Sequence, residues 1–460
     1  MTKAFFLSIA AAAGLMGGIH ETNDGRFLQL FDNNDPQSKI IAEVRADGKG
    51  LRTLKCRSPK DGVTWCRVRY DRDGIRLTGW ADKASLDAIA SRPNTSPTFE
   101  KRFGGRYEEA GKAILPLEDG FLIAGYTQSF GSGQDDAYLI RTDRYGNKIW
   151  SKTYGGRYDD IAEAVIPVKG GFVFTGSTRS YGNKIQSLYV GRVRGDGSLM
   201  WENGYYADKD DRYAGKGLAV INEKHVMVAG YEDHIKFFNS EINCYLTAID
   251  INGHQKWQQY YGGEDVEKAN SIVKVRGGYV FAGMTDTWGH GDEDVYVVKI
   301  DDSGKRVWHN AFGWDDKEVG NQIIATRDGG YIVVGTTDSD RRNSDDIYVV
   351  KIDEKGKRQW QRHYGGEYDE EGYGIVETAD GYVIVGYTES TKNHDMQLYL
   401  MKIDRDGNIY WKKTYGGPDD DAGYAIAETD DGFVVTGYTE GRSGRGKDVY
   451  LLKVDKNGNL

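Results

Sequence analysis

The sequence is poor in the residues and motifs on which many catalytic, metal-binding and nucleic-acid-binding proteins depend. Its 460 residues include only 3 cysteines, 7 prolines and 8 histidines, and the histidines are scattered without the spacing of metal ligands. Neither a G-x-S-x-G nor an H-E-x-x-H motif is present, which excludes the common serine-hydrolase elbow and the zinc-protease helix. Because the formal net charge is -10 and no basic run occurs, we expect no binding to nucleic acid.

Helix-length apolar periods are also missing, and short strand-like segments recur in their place. A tryptophan marks each recurrence, at intervals of 51 to 56 residues, and four of the six open a Trp-x-x-x-Tyr-Gly-Gly phrase. The six tryptophans are Trp150, Trp201, Trp257, Trp308, Trp360 and Trp411. A fixed period of this size indicates one supersecondary unit that has been duplicated.

The last unit shows what the repeat is made of. Residues 422–429, 433–439 and 449–454 have the composition of strands, and the last two are rich in β-branched and aromatic residues. An Asp-Asp-Gly turn signal separates the first two, and an Asp-x-x-Gly-Asn turn signal follows the third. In the other units the tryptophan phrase adds a fourth strand. Four antiparallel strands in one such period predict a propeller blade.

Seven units can be counted, and the ends of the chain complete one another. The last unit stops before its fourth strand, whereas residues 99–105 match the tryptophan phrase with Phe99 in the place of the tryptophan. An open array would leave two exposed sheet edges, which favour aggregation. We therefore predict an all-β fold in which residues 99–460 form a seven-bladed β-propeller of four-stranded antiparallel blades, closed by an N-terminal strand.

The first 18 residues have the pattern of a secretory signal. Lys3 precedes an apolar run that ends in small residues and is too short to span a membrane. Residues 1–18 are therefore predicted to be a signal peptide, which implies a periplasmic or secreted protein without a membrane span. The alternative is that the apolar run is a buried strand or helix.

A second, smaller domain is predicted between the signal and the ring. It covers residues 24–88 and is followed by a linker at residues 89–98, which contains Pro93 and Pro97. Cys56 and Cys66 flank a turn-forming segment that can set them opposite one another in a hairpin. In an exported chain this arrangement favours a disulfide, since zinc would need two further ligands and none lies nearby.

Two family resemblances add to this interpretation. The segments WCRVRY at 65–70 and GWADKASL at 79–86 resemble the last strands of bacterial SH3-like domains of exported proteins, which implies a small β-barrel. Residues 27–32 depart from the opening motif of that family, so a peptide-binding role does not follow. Residues 153–201 and 262–308 resemble exported bacterial and archaeal propeller repeats with the phrase YGG…DGGYIVAGYT…GN..W, and their period is similar to that of kelch propellers. This resemblance implies the fold and no activity.

One face of the predicted ring collects the links between blades and the loops between second and third strands. These segments vary most between units, and variable loops are where propellers usually carry binding residues. An acid recurs there in six units, with Tyr213 in the third: Glu109, Asp160, Glu267, Glu318, Glu370 and Asp421. One interpretation is an acidic channel mouth that binds a basic partner or a cation such as calcium. The other is that each acid caps backbone N–H groups of its own link. Apart from such a cation, no cofactor is predicted.

Departures from the repeat point to binding residues more directly, because duplication does not explain them. The loop of the third unit carries Phe237 and Phe238, and the same face carries Trp288 and Trp314 in neighbouring segments. Aromatic side chains on a rim bind sugars, peptides or proteins by stacking and burial. The alternative is that these four pack on one another or on the small domain.

The function that best fits these patterns is that of an exported, monomeric binding scaffold without enzymatic activity. Its propeller face would hold a partner protein, a peptide or a glycan. Two alternatives stay open: a lyase or hydrolase that uses acids at the channel mouth, and a purely structural module of a cell-surface assembly.

Overall fold

The computed structural model describes residues 19–460 except 23–24, 32–39, 46–50, 58–63, 73–74, 84–97, 183–184, 235–240, 339–343, 393 and 442–445. The chain divides into two compact units, Met1–Thr95 and Ser96–Leu460. The predicted signal peptide lies outside the described residues, and so does almost all of the predicted linker. Among the described residues, no helix has the length and apolar character needed to cross a membrane.

The first unit contains a sheet of six strands. In chain order the strands are β1 (Ile19–Thr22), β2 (Gly25–Phe31), β3 (Ile40–Arg45), β4 (Leu51–Arg57), β5 (Trp65–Arg72) and β6 (Ile75–Asp82). The sheet runs β1-β2-β6-β5-β4, and β3 also pairs with β2. Cys56 and Cys66 are register partners on β4 and β5, so the predicted disulfide is confirmed. Beside it, buried Trp65 and Val68 contribute to a small core.

The second unit consists of seven four-stranded antiparallel sheets, which confirms the predicted seven-bladed propeller. The strand before the first complete blade is β7 (Phe99–Phe103). Blades 1 to 3 contain β8 (Glu109–Leu117), β9 (Gly120–Thr127), β10 (Asp136–Asp143) and β11 (Lys148–Tyr154); β12 (Asp160–Val168), β13 (Gly171–Thr178), β14 (Ser187–Arg194) and β15 (Leu199–Tyr205); and β16 (Arg212–Asn222), β17 (His225–His234), β18 (Glu241–Asp250) and β19 (Gln255–Tyr261).

The remaining four blades repeat the same order. Blades 4 and 5 contain β20 (Glu267–Val275), β21 (Gly278–Thr285), β22 (Asp294–Ile300) and β23 (Arg306–Phe312); and β24 (Glu318–Ala325), β25 (Tyr331–Thr337), β26 (Asp346–Ile352) and β27 (Arg358–Tyr364). Blades 6 and 7 contain β28 (Glu370–Glu377), β29 (Gly381–Thr388), β30 (Gln397–Asp404) and β31 (Ile409–Tyr415); and β32 (Asp421–Thr429), β33 (Gly432–Glu440) and β34 (Lys447–Asp455).

Blade 7 receives its fourth strand from the other end of the ring sequence. Strand β7 pairs antiparallel with β34, with Phe99 opposite Lys453 and Phe103 opposite Val449. The hydroxyl of Tyr450 on β34 donates to Glu100 Oε1 at 2.5 Å.

The middle strands of each blade are buried on both faces because neighbouring blades cover them. All eight residues of β21 are buried, although its sequence, GYVFAGMT, shows no polar–apolar alternation. A strand that is covered on both sides gains from apolar residues at every position, since each side removes hydrocarbon from water. The cores therefore lie between blades, as in the cluster that joins Phe281 and Tyr296 of blade 4 to Leu246 and Tyr261 of blade 3.

Each blade is held to the next by an aromatic residue that covers a turn glycine. The turn between the third and fourth strands contains a glycine with φ between 72° and 88°, a left-handed conformation that glycine adopts without steric cost. The tryptophan of the repeat in the preceding blade, or Phe99 in its place, lies against it. The seven pairs are Trp150–Gly197, Trp201–Gly253, Trp257–Gly304, Trp308–Gly356, Trp360–Gly407, Trp411–Gly458 and Phe99–Gly146.

The tyrosine of the tryptophan phrase adds a hydrogen bond at the same place. In five blades its hydroxyl donates to the carbonyl of that turn glycine, as Tyr154 does to Gly197 O at 2.6 Å and Tyr364 to Gly407 O at 2.7 Å. Phe312 has no hydroxyl, and there Asn310 Nδ2 donates to Gly356 O at 3.2 Å instead. The phrase that marks the repeat is therefore a contact between blades.

Replacing Gly197 by alanine should destabilise the ring more than replacing Gly170. Both glycines have positive φ, 76° and 84°, so both substitutions introduce backbone strain of about 1–2 kcal/mol. Only at Gly197 would the added Cβ meet a neighbour, at 2.9 Å from the Trp150 ring, whereas Gly170 has open space around it. Overpacking of this kind costs about 1–3 kcal/mol more. Thermal unfolding followed by circular dichroism measures the difference, and equal losses would contradict the inter-blade contact.

Candidate binding face

The links between blades and the loops after the second strands meet at one end of the ring, here called the upper face. In blades 1 to 6, backbone hydrogen bonds join the loop to the next link. Asp160 N donates to Asp135 O and Glu370 N donates to Asp345 O, both at 2.7 Å. These bonds fix the backbone from which the side chains of the upper face project.

The six predicted acids are buried beneath the links of the upper face, with exposed fractions of 0 to 2%. One oxygen of each accepts a hydrogen bond of 2.5–2.9 Å from the backbone N–H four residues earlier. In five blades a second-strand threonine hydroxyl donates to the other oxygen. The acids are Glu109, Asp160, Glu267, Glu318, Glu370 and Asp421. These are the contacts of the capping interpretation, and they hold the carboxylates inside the blades, away from the surface.

Blade 3 keeps the same arrangement with its two partners exchanged. Tyr213 occupies the place of the acid, and Glu232 stands opposite it on β17, where the other blades have threonine. The hydroxyl of Tyr213 donates to Glu232 Oε1 and accepts from Asp208 N at 2.9 Å. A seventh buried carboxylate is therefore present on the neighbouring strand. An alignment on the first strands alone misses it.

The centre of the ring is lined by a different set of side chains. The first strands contact one another around the ring, and each has a β-bulge at the residue three positions after the acid or Tyr213. A bulge re-aims the side chain that it carries. The seven bulge residues are Lys112, Glu163, Lys216, Asn270, Asn321, Tyr373 and Tyr424.

Several of these bulge residues bind one another across blades. Lys216 Nζ lies 2.6 Å from Glu163 Oε1, and Lys112 Nζ lies 3.7 Å from the ring centre of Tyr424. Burial lowers the pKa of Lys112. The ring centre therefore carries cations, amides and tyrosines that serve contacts between blades.

Two of the predicted rim aromatics pack on the blades below them. Trp288 stacks on Tyr296 with 5.1 Å between ring centres and meets His309 edge to face. Trp314 reaches the equivalent pair in blade 5, Tyr348 and His363, although it comes from the link and not from the loop. Both tryptophans are half-buried. Phe237 and Phe238, the other two predicted residues, lie outside the described residues.

Among the described residues, the most exposed aromatics of the upper face are three others, and arginines accompany them. Tyr107, Phe130 and Tyr158 are 53, 45 and 57% exposed. Arg106 and Arg157 precede the two tyrosines and are exposed as well. We call these five residues the Arg–Tyr patch. Within the described part of the chain, neither guanidinium has an ion-pair partner.

One loop of blade 1 approaches both halves of the Arg–Tyr patch. Ser129 Oγ accepts hydrogen bonds from the N–H groups of Arg106 and Tyr107, at 2.8 and 2.7 Å, next to Phe130. The far end of the same loop approaches Tyr158, since a Cβ atom on Gly133 would lie 2.4 Å from Tyr158 O. Sequence reasoning missed the patch, although the repeated Arg-Tyr pair after Gly-Gly was a signal that could have found it.

The known proteins to which this chain is similar are remote from it in sequence. No model of a known protein family matches the chain. Regulatory protein FlaEY of Caulobacter vibrioides is 27% identical over 120 residues, and the match covers 23% of this chain and only 13% of that protein.

Solved structures with a similar shape are equally remote in sequence. The WD40 propeller domain of Doa1 has a TM-score of 0.48 and 10% identity, covering 80% of this chain and 99% of that one. The phage phi92 endosialidase has a TM-score of 0.46 and 9% identity, covering 84 and 72%. A putative 6-phosphogluconolactonase from Bacteroides fragilis has a TM-score of 0.43 and 12% identity, covering 83 and 97%. None of these likenesses carries an argument about activity.

The buried carboxyl of Asp421 should make the protein more stable in mild acid. Burial raises its pKa to about 6, against the opposing effect of the Gly417 N–H. Between pH 4 and pH 6 this carboxyl therefore binds more protons in the folded than in the unfolded state, so its contribution to the free energy of unfolding rises as pH falls from 7 towards 5. Asp421→Asn retains an acceptor for Gly417 and should reduce this slope, by an amount on the order of 2 kcal/mol across the window.

Urea unfolding at pH 7, 6 and 5 measures the effect. Asp294, whose pKa burial also raises to about 6, acts in the same direction, so the slope should decrease without vanishing. Asp406→Asn, at an exposed turn, is the control and should leave the slope unchanged. An unaltered slope in Asp421→Asn would contradict the assignment.

Proposed function

We propose that this chain is an exported, non-enzymatic binding scaffold that holds an acidic partner protein or peptide on its upper face. The observation that carries the proposal is the Arg–Tyr patch. Tyrosine and arginine are, together with tryptophan, enriched among the residues that supply most of the binding energy at protein interfaces, since they combine large apolar area with directed hydrogen bonds.

The charge of the patch favours an acidic partner. The chain as a whole has a formal charge of -10, and Glu108 and Asp159 stand next to the patch tyrosines. Asp159 is paired with Arg179, whereas Arg106 and Arg157 have no ion-pair partner among the described residues, so these two cations are free to meet a partner. Complementary charge speeds association and selects against partners of the same sign. The N–H groups of Arg106 and Tyr107 donate to Ser129 Oγ, which fixes the backbone in this part of the patch, so little backbone entropy is lost there on binding.

The buried acids support a binding protein over the enzyme alternative. A general acid or base must reach its substrate within hydrogen-bond distance. Each of the six carboxylates instead accepts from a backbone N–H of its own link. The purely structural alternative predicts that the Arg–Tyr patch binds no peptide at all.

Export and the role of the small domain belong to the same proposal. A disulfide such as Cys56–Cys66 persists in oxidising compartments, which agrees with removal of residues 1–18 as a signal peptide and with a periplasmic or secreted location. We infer that residues 24–88 are an SH3-like module that tethers or orients the ring.

The binding proposal is tested on an array of acidic, neutral and basic peptides and of glycans, with the purified chain as the probe. Acidic peptides should bind, and binding should weaken with added salt because exposed charges are screened. The double variant Tyr107→Ala with Tyr158→Ala and the double variant Arg106→Ala with Arg157→Ala should each lower affinity at least about tenfold, as expected for residues at the centre of an interface.

Tyr145→Ala with Tyr410→Ala is the matched control. These tyrosines are 50 and 56% exposed but lie outside the patch, in the turn after β10 and on β31, so affinity should not change. Binding that is confined to neutral glycans, or that both patch variants retain, would contradict the proposal.

A further part of the proposal concerns the ring itself. We infer that β7 closes it, since β7 supplies the fourth strand of blade 7 and Phe99 covers Gly146 of blade 1. Without β7, the edge of β34 would be left unpaired, and Gly146 would lose its cover.

Two shortened chains test the closure. A chain that starts at Ser96 retains β7 and should unfold cooperatively at the temperature of the parent ring. A chain that starts at Gly104 lacks β7 and should unfold at a lower temperature or form aggregates, detected by light scattering. Identical unfolding of the two chains would show that the ring does not depend on β7.

A further inference from the structure

Blade 3 brings together three side chains that can act as metal ligands, at the end of β17 on the upper face. His234 Nδ1 lies 2.8 Å from Asp211 Oδ2, and His234 Nε2 lies 3.1 Å from Glu232 Oε2. One ligand atom from each of the three side chains falls within 4.8 Å of the others. No other three histidine, cysteine or acidic side chains in the described ranges meet in this way.

The three side chains differ in how they are held. Glu232 is buried, and the hydroxyls of Tyr213 and Tyr260 both donate to its Oε1, which leaves Oε2 directed to His234. Asp211 is also buried, in the link that leads into β16, whereas His234 is half-buried at the open side. Two buried carboxylates and one half-buried imidazole therefore meet at the edge of the upper face, with the imidazole nearest to solvent.

The donor set identifies the class of ion. Imidazole nitrogen suits zinc and neighbouring transition metals, and carboxylate oxygen completes their coordination in many proteins. Two donor atoms on a tetrahedral zinc ion lie about 3.3–3.5 Å apart, since each is about 2.0–2.2 Å from the metal. The donor atoms of this group all lie within 4.8 Å of one another. Calcium binds six to eight oxygen ligands, and an imidazole nitrogen is not among the ligands that it prefers.

We propose that Asp211, Glu232 and His234 bind one divalent transition-metal ion, with zinc as the best fit. The ion ties the link before β16 to the end of β17. It does so in the one blade where the acid and threonine of the repeat are replaced by tyrosine and glutamate.

Two other histidine–aspartate contacts in the ring provide matched comparisons. His363 Nδ1 lies 2.7 Å from Asp346, and His254 Nδ1 lies 3.2 Å from Asp250. Neither pair belongs to a three-residue group in the described residues. The pairs therefore test whether a single carboxylate beside a histidine is enough for binding.

The test uses the full chain without an affinity tag, freed of metal with a chelator and titrated with zinc chloride by calorimetry. We expect one zinc ion per chain. His234→Ala and Glu232→Gln should each weaken binding at least tenfold, while His363→Ala should bind as the parent does. Zinc should also raise the unfolding temperature of the parent and of His363→Ala but not of His234→Ala, and circular dichroism without metal checks that each variant is folded.

Three outcomes would overturn the proposal: no zinc bound by the parent chain, equal affinity in His234→Ala, or calcium binding that His234→Ala retains while zinc binding is absent. Should Glu232→Gln fail to fold, Asp211→Asn takes its place as the second variant. Retention of full zinc affinity by a folded Asp211→Asn would equally exclude the three-ligand site.

Discussion

The ring depends on one contact, in which an aromatic side chain of each blade covers a left-handed glycine in the next. Glycine is favoured at all seven positions because φ is positive, and at five of them a Cβ atom would also lie only 2.6–3.1 Å from the aromatic ring. In five blades the carbonyl of this glycine also accepts a hydrogen bond from a tyrosine hydroxyl. Because the contact always runs from one blade to its successor, each blade is positioned by the blade before it. Phe99 makes this contact for Gly146, so blade 1 is positioned in the same way.

Much of the fold could be predicted from sequence because its signals are local. Strand composition, turn glycines and a fixed period lie within single units, and they sufficed for seven four-stranded blades. The disulfide followed from the short segment between Cys56 and Cys66. The pairing of Trp150 with Gly197 could not be predicted, although both belong to obvious motifs. The two residues are far apart in sequence, and a repeat shows that two motifs recur without showing that they touch.

The candidate site was less predictable, and the reasons differ between its parts. Alignment of the units found the six acids, but their position is compatible both with an acidic channel mouth and with carboxylates that cap backbone N–H groups. What decides is the direction of the side chain, and Asp160 turns back to the N–H of Gly156. Trp288 and Trp314 stand out in composition, yet packing on Tyr296 and Tyr348 half-buries them. Exposure depends on neighbours that only the fold brings together. For that reason the Arg–Tyr patch was missed.

Blade 3 shows how a repeat can acquire a new chemical group without losing its scaffold. In five of the other blades one carboxylate accepts hydrogen bonds both from the link and from the threonine opposite. In blade 3 the hydroxyl of Tyr213 accepts the hydrogen bond from the link, donated by Asp208 N. The carboxylate is supplied by Glu232 on β17, and the same hydroxyl donates to it. Only one of its oxygens is then needed for the tyrosines, and the other meets His234. The exchange conserves the buried hydrogen bonds, so its cost in stability is small compared with burying an unpartnered charge. The repeat can therefore tolerate this departure, and the departure places the imidazole and both carboxylates at one point of the upper face.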